Sequence, residues 1–245
     1  MSRFRAFLAD AGGTLFPDQV ADPPAMREVR AQRLAAVLPE LDASSVARLL
    51  AELTADAKAG EDRLEQRTEA AIAARLSALD GSFDARVPDV RRALTQPTGH
   101  EPDPFPGHRD LLLTAGRLGL RRVLVSNTAW ISELDWWGWR MERLSLVGLL
   151  EGVVTSYDLG WRKPHRAMFE RAQELAGCAA QECVFIGDNE RKDVEPALAL
   201  GMTVIRVAIQ EPPAPTRAHR LVTSLPEASQ VLRSLCQEVP AQTDN

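Results

Sequence analysis

The sequence predicts an α/β protein with a mainly parallel sheet, to which a small all-helical unit is joined. Three observations predict it: short β-type runs that end in turn residues, helical-period segments between those runs, and one long stretch with helical spacing throughout. The β-type runs are Phe4–Ala9, Arg122–Ser126, Val153–Ser156, Cys183–Gly187, Thr203–Val207 and, most weakly, His219–Thr223. Helical segments separate them, as parallel pairing requires of its crossovers, and the helix expected over Gly107–Leu118 leads into the second run.

From Pro17 to Phe105 the pattern changes. Segments such as REVRAQRLAAVL, SSVARLLAELTADA and TEAAIAARLSAL place apolar residues at helical spacing, and no run reads as a strand. Asp42 to Ser45 reads as a helix start, while Gly81 and Pro88 punctuate later turns. The stretch is expected to be a separate helical domain over residues 17–105, entered near Asp18–Pro24 and left through the proline-rich Pro97–Pro106. Residues 1–16 and 106–245 then form the α/β core, with a frayed tail from Glu238.

Composition narrows the function. The formal charge of −5 and the absence of a dense Lys/Arg run argue against nucleic acid or an anionic membrane as partner. No stretch approaches the roughly 20 apolar residues of a membrane span, and the N-terminal apolar stretch is too short for a signal peptide. Cys178, Cys183 and Cys236 are an odd number without CxxC spacing, which suits free thiols in a reducing compartment. A cytoplasmic protein, monomer or homodimer, is expected.

Four polar clusters stand at strand ends, where open α/β sheets bind ligands. Asp10-Ala11-Gly12-Gly13-Thr14 follows the first strand; an aspartate leaving a buried strand into glycines can project into a crevice, or can serve a local turn. Ser126-Asn127-Thr128 follows the second, where a hydroxyl can donate to a phosphate oxygen or cap the next helix. Lys163, in Gly-Trp-Arg-Lys-Pro, is one of few lysines and suits a point charge holding an anion, or a solvated surface position. Gly187-Asp188-Asn189-Glu190-Arg191-Lys192-Asp193 carries two carboxylates at a strand-to-helix turn, which with Asp10 form an oxygen-rich set suited to Mg²⁺; Asp193 alone also reads as a helix cap.

In this order the clusters resemble the four motifs of the haloacid dehalogenase-like hydrolase superfamily, over nearly the whole chain. The insert between the first two resembles the helical cap of the branch that includes the dehalogenases, β-phosphoglucomutase and phosphoglycolate phosphatase. The resemblance implies a Rossmann-like three-layer core and a small phosphorylated substrate. It implies that Asp10 is the nucleophile that becomes an aspartyl phosphate, and that Gly13, Thr14, Ser126, Asn127 and Lys163 surround the phosphoryl group. Mg²⁺ is implied on Asp10, the Gly12 backbone carbonyl, Asp188 and Asp193, the last directly or through water, with Asp193 also orienting Lys163.

The chain departs from the family at Gly12, where phosphatases carry a second aspartate that serves as general acid and base. Such a group contributes about 10²–10⁴-fold, roughly 3–5 kcal/mol of barrier at about 1.36 kcal/mol per decade. Weak turnover of unactivated alkyl esters is therefore expected. The alternatives are a phosphate-binding or regulatory protein, or hydrolysis of a C–P or C–halogen bond. In its small residue at position 12 the chain resembles phosphonoacetaldehyde hydrolase, which implies a Schiff base on a lysine of the insert, where Lys58 stands; a displaced acid–base role falls to the substrate, to a residue such as Glu61, Asp62 or Glu65, or to a good leaving group. Among the tryptophans, helical spacing predicts that Trp130, Leu134, Trp137 and Met141 share a buried face, leaving Trp136 and Trp139 less buried.

Overall fold

A computed structural model describes residues 2–17, 23–59, 68–79, 85–128 and 130–237. The expectations for the entry at 18–22, the Lys58 side chain, Glu61, Asp62, Glu65, Gly81 and the tail from Glu238 lie outside the described residues.

Six strands form one parallel sheet: β1 (Ala6–Ala9), β2 (Arg121–Ser126), β3 (Gly152–Thr155), β4 (Cys183–Gly187), β5 (Thr203–Val207) and β6 (Arg220–Val222), in the order β3-β2-β1-β4-β5-β6. The order runs outward in both directions from β1, so the topological switch point lies between β1 and β4. The third strand begins and ends one residue earlier than the expected Val153–Ser156. Ser156 opens a short helix, Ser156–Leu159, because the Thr155 side chain accepts from the Asp158 N–H and caps it.

Alternation along the strands builds two cores. On β1, Phe7 and Ala9 face one side and Ala6 and Leu8 the other. The first side is covered by helices His108–Arg117 and Leu225–Gln237, through residues such as Leu111, Leu112, Leu225 and Leu232. The second is covered by helices Arg166–Ala176 and Glu195–Ala199, through Met168, Phe169, Ala172 and Ala197. The result is the three-layer α/β arrangement in which both sheet faces are buried.

Between β1 and the helix His108–Arg117 the described residues form four helices, α1 (Pro24–Val37), α2 (Ala43–Ala59), α3 (Thr68–Leu79) and α4 (Val87–Thr95), and no strand. They enclose their own apolar cluster, with Leu34, Leu53, Ile72, Leu76 and Leu94 fully or almost fully buried. The start of α2 follows from Asp42, whose Oδ1 accepts from the Ser45 N–H at 2.7 Å. Where the chain leaves β1 and returns from the helices, the Phe105 N–H donates to the Leu15 carbonyl at 2.9 Å. No helix among the described residues is long and apolar enough to cross a membrane.

The tryptophan expectation is corrected. Trp136 is 0% exposed, whereas Leu134 is 82% and Trp137 40% exposed. The reason is local backbone: a short helical turn, Glu133–Asp135, runs into a π-helical turn, Trp136–Arg140, and Gly138 leaves helical geometry at φ −79°, ψ −131°. The phase of a continuous α-helix is lost, and with it the face that 3.6-residue spacing would define.

Candidate active site

The carboxyl ends of β1, β2 and β4 open onto one cavity of about 540 Å³, whose lining includes Asp10, Gly12, Ser126, Lys163, Asp188 and Asp193. Asp10 stands immediately after β1, and its N–H donates to the Ile186 carbonyl of β4 at 2.9 Å, so the sheet ladder itself aims the side chain. Lys163 Nζ donates to Asp10 Oδ1 at 2.5 Å and to Asp193 Oδ1 at 2.7 Å. At 4% exposure Lys163 is no surface lysine. Asp193 is turned inward from the π-helical turn Glu190–Val194, and it does not cap that turn. Asn189 does, accepting from the Arg191 and Lys192 N–H groups, while the Asn189 N–H donates to Asp193 Oδ2 at 3.1 Å.

Close backbone approach makes the cluster compact. A Cβ on Gly187 would stand 2.5 Å from the Asp193 Cβ, and one on Gly13 would stand 2.5 Å from Asp188 Oδ2. Gly13 also has φ +80°, which disfavours any side chain there. One carboxylate oxygen from each of Asp10, Asp188 and Asp193 lies within 4.8 Å of the others. An all-oxygen set of this size, with the Gly12 segment at its edge, fits a hard divalent cation such as Mg²⁺.

Charge balance agrees. Burial raises the Asp10 carboxyl to about 8; Lys163 opposes the rise, and Asp193 and Asp188 add to it. Burial alone would lower the Lys163 ammonium, but Asp10 and Asp193 outweigh it and hold it above its usual range. The repulsion that Asp193 and Asp188 exert on Asp10 is one that a bound divalent cation would relieve.

Asn127, Thr14 and Gly13 make contacts within the protein, and of the three only Asn127 lines the cavity. Asn127 faces Lys163: its Nδ2 donates to the Lys163 carbonyl at 3.0 Å and its Oδ1 accepts from the Lys163 N–H at 2.8 Å. Its side chain thus fixes the lysine loop. Thr14 is fully buried and donates to Asp10 Oδ2 at 3.3 Å, and its N–H turns back to the Ala11 carbonyl. The Gly13 N–H bonds the Phe16 carbonyl at 2.7 Å. Thr14 thus holds the Asp10 carboxylate, and neither it nor Gly13 is part of the cavity lining. The cavity wall also includes Arg30, Arg140 and Arg143, which carry no motif in the sequence. The only local sign is an arginine closing the Trp136-Trp137-Gly138-Trp139 run.

The fold and this acidic centre at the switch point define an α/β enzyme. A family model described as haloacid dehalogenase-like hydrolase matches residues 4–201, and the chain belongs to that family. Over 104 residues, 42% of this chain and 44% of the relative, it is 29% identical to glyceraldehyde 3-phosphate phosphatase of Methanocaldococcus jannaschii. Over 144 residues, 58% of this chain and 54% of the relative, it is 29% identical to haloacid dehalogenase-like hydrolase domain-containing protein 3 of Xenopus laevis. The matches thus span about half the length of these relatives. The fold is similar to that of an HAD phosphatase from Thermococcus onnurineus, with TM-score 0.63 at 18% identity over 94% of this chain and 98% of that one. It is similar also to an HAD hydrolase of Bacillus subtilis bound to magnesium, with TM-score 0.58 at 18% identity over 94% and 99% of the two chains.

Proposed function

We propose that this hydrolase releases phosphate from a small phosphorylated metabolite in a Mg²⁺-dependent reaction through an aspartyl phosphate on Asp10. One observation carries the reading: a buried lysine that holds Asp10 at 2.5 Å and Asp193 at 2.7 Å, beside a third carboxylate on the same cavity. The partial match to a phosphatase of glyceraldehyde 3-phosphate supports a small phosphorylated substrate.

Asp10, Asp188, Asp193 and the Gly12 carbonyl would hold Mg²⁺, which neutralises charge on phosphoryl oxygens. Asp10 attacks phosphorus, and the ester P–O bond breaks as the Asp10–phosphorus bond forms. Ser126 and Lys163 bind phosphoryl oxygens, and Lys163 offsets the charge they gain in the transition state. Water then attacks phosphorus, inorganic phosphate leaves and the Asp10 carboxylate returns. Residue 12 has no carboxyl to protonate the leaving alcohol, so esters whose alcohol leaves as a stable anion are hydrolysed best. Residues 17–105 act as the cap that covers the cavity and sets specificity.

The test is phosphate release from p-nitrophenyl phosphate with Mg²⁺ and with excess chelator, in the native chain and in Asp10→Asn. Turnover is expected only with metal and Asp10 together; turnover that survives either change overturns the mechanism. Gly12 favours one second reading, a phosphate-binding protein of weak turnover. Thermal stabilisation by phosphate without measurable hydrolysis would select it.

A further inference from the structure

Arg140 ends the π-helical turn that follows the Ser126 strand end, and it lines the same cavity as Asp10. Its guanidinium carbon lies 5.3 Å from the Trp136 ring centroid and 4.8 Å from that of Trp139. Its Nε is shut off from solvent and has no hydrogen-bond partner among the described residues. Burial pulls the group down to about 10, so it remains a cation at neutral pH.

The charged groups around it are engaged elsewhere. Glu101 accepts from the Thr98 N–H, the Thr98 hydroxyl and the Gly99 N–H. Asp135 pairs with Arg91 at 2.6 Å and accepts from Ser132. Arg30 donates to the Leu94 carbonyl, and Arg143 pairs with Asp103. Glu101 and Asp135 steady the half-buried guanidinium through their charge, but no carboxylate among the described residues hydrogen-bonds its Nε, and the cavity that Arg140 lines is where a ligand anion can reach the group. The two indole rings beside the guanidinium carbon favour its charged form, and a planar guanidinium is matched by a carboxylate through two parallel hydrogen bonds.

Arg140 also shares a wall with the catalytic loop. Trp136 packs against Phe16 with ring centroids 6.1 Å apart, and Phe16 is bridged to Gly12. A cavity of about 540 Å³ is of a size that takes one small molecule spanning both ends.

We propose that Arg140 is a specificity-determining residue that binds a carboxylate on the substrate, so that the substrate class is a small phosphorylated carboxylic acid rather than a phosphorylated aldehyde or polyol. The inference rests on the phosphatase reading for the other end of the molecule.

The experiment is calorimetric titration of the full chain with Mg²⁺, using 3-phosphonopropionate and propylphosphonate, which differ in the carboxylate and cannot be hydrolysed at a P–O ester. The acid is expected to bind at least about ten-fold tighter, as a charge-assisted hydrogen-bond pair implies. The ratio is expected to fall towards one in Arg140→Gln and to be partly kept in Arg140→Lys. Equal affinities in the native chain overturn the proposal, and this comparison needs no variant to fold. A ratio unchanged in Arg140→Gln overturns it as well. Hydrolysis of p-nitrophenyl phosphate, followed in parallel, separates the two readings: turnover without carboxylate preference overturns the Arg140 inference alone. Carboxylate preference without turnover supports Arg140 and overturns the phosphatase reading.

Discussion

The strand ends and the helical insert handle charge in opposite ways. In the cavity beyond the strand ends Asp10, Lys163 and Asp193 are buried against one another, where a lost partner leaves a bare charge away from water. In the insert the ion pairs sit at the rim, as in Arg75 with Asp56 at 2.8 Å and Arg86 with Glu40 at 2.6 Å, over an apolar centre of Leu34, Leu53, Ile72 and Leu76. Such exposed pairs contribute little to stability. A single substitution at the strand ends should therefore alter chemistry, and one in the insert should alter access and fit.

The sharpest way to break this contrast is Lys163→Met, which should lower Mg²⁺-dependent phosphate release by at least about 10³-fold, because it removes the cation that meets both Asp10 and Asp193. A loss under ten-fold in a steady-state assay would place the lysine outside the chemistry. Next in size, Gly12→Asp should raise turnover of alkyl phosphates by about 10²-fold, within the range of a general acid–base. The rise should be smaller for p-nitrophenyl phosphate, whose leaving group needs no proton; an equal rise on both would refute the missing acid.

A third prediction concerns stability without metal. The folded-state value of Asp10, about 8, lies above its ordinary 3.8. The unfolded chain releases this proton first, so the contribution is complete below about pH 4 and is lost as pH rises towards 8. In chelator, the melting temperature attributable to this group should fall across that window. Asp10→Asn should flatten the dependence, and Mg²⁺ should restore stability most at the alkaline end; a pH profile identical in Asp10→Asn would remove Asp10 as its source.

The smallest effect is expected at the seam between the two regions. Arg91 of α4 pairs with Asp135 at 2.6 Å and lies 4.8 Å from the Tyr157 ring centroid, and Tyr157 donates to Glu69 of α3. Arg91→Ala should cost no more than about 1 kcal/mol in denaturant melts, with a several-fold rise in KM and little change in kcat. A fall in kcat as large as that of Lys163→Met would erase the distinction between chemistry and access.

Legibility followed the same divide. Phe4–Ala9 and Cys183–Gly187 read as strands because strands buried on both faces form near-continuous apolar runs, as in Ala6–Ala9 and Cys183–Gly187, which are β1 and β4. The stretch from Pro17 to Phe105 read as helical from its spacing. The segment after Ser126 did not read correctly, since Gly138 breaks the helical phase and places Trp136 inside. Thr14 and Asn127 stand in recognisable motifs, yet their side chains serve Asp10 and Lys163, a difference that turns on orientation.

By itself the sequence determined the parallel α/β core and the helical character of the insert, and it singled out Asp10, Ser126, Lys163, Asp188 and Asp193, which line one cavity. It could do so because strand burial and turn chemistry are local, and each carries its own residue pattern. Only the tertiary structure decided that Lys163 lies between Asp10 and Asp193, which are 153 and 30 residues away from it along the chain. It alone decided that Arg140 reaches the cavity from a broken helix among tryptophan rings. Both depend on contacts between distant segments, whose distances and burial no local pattern encodes.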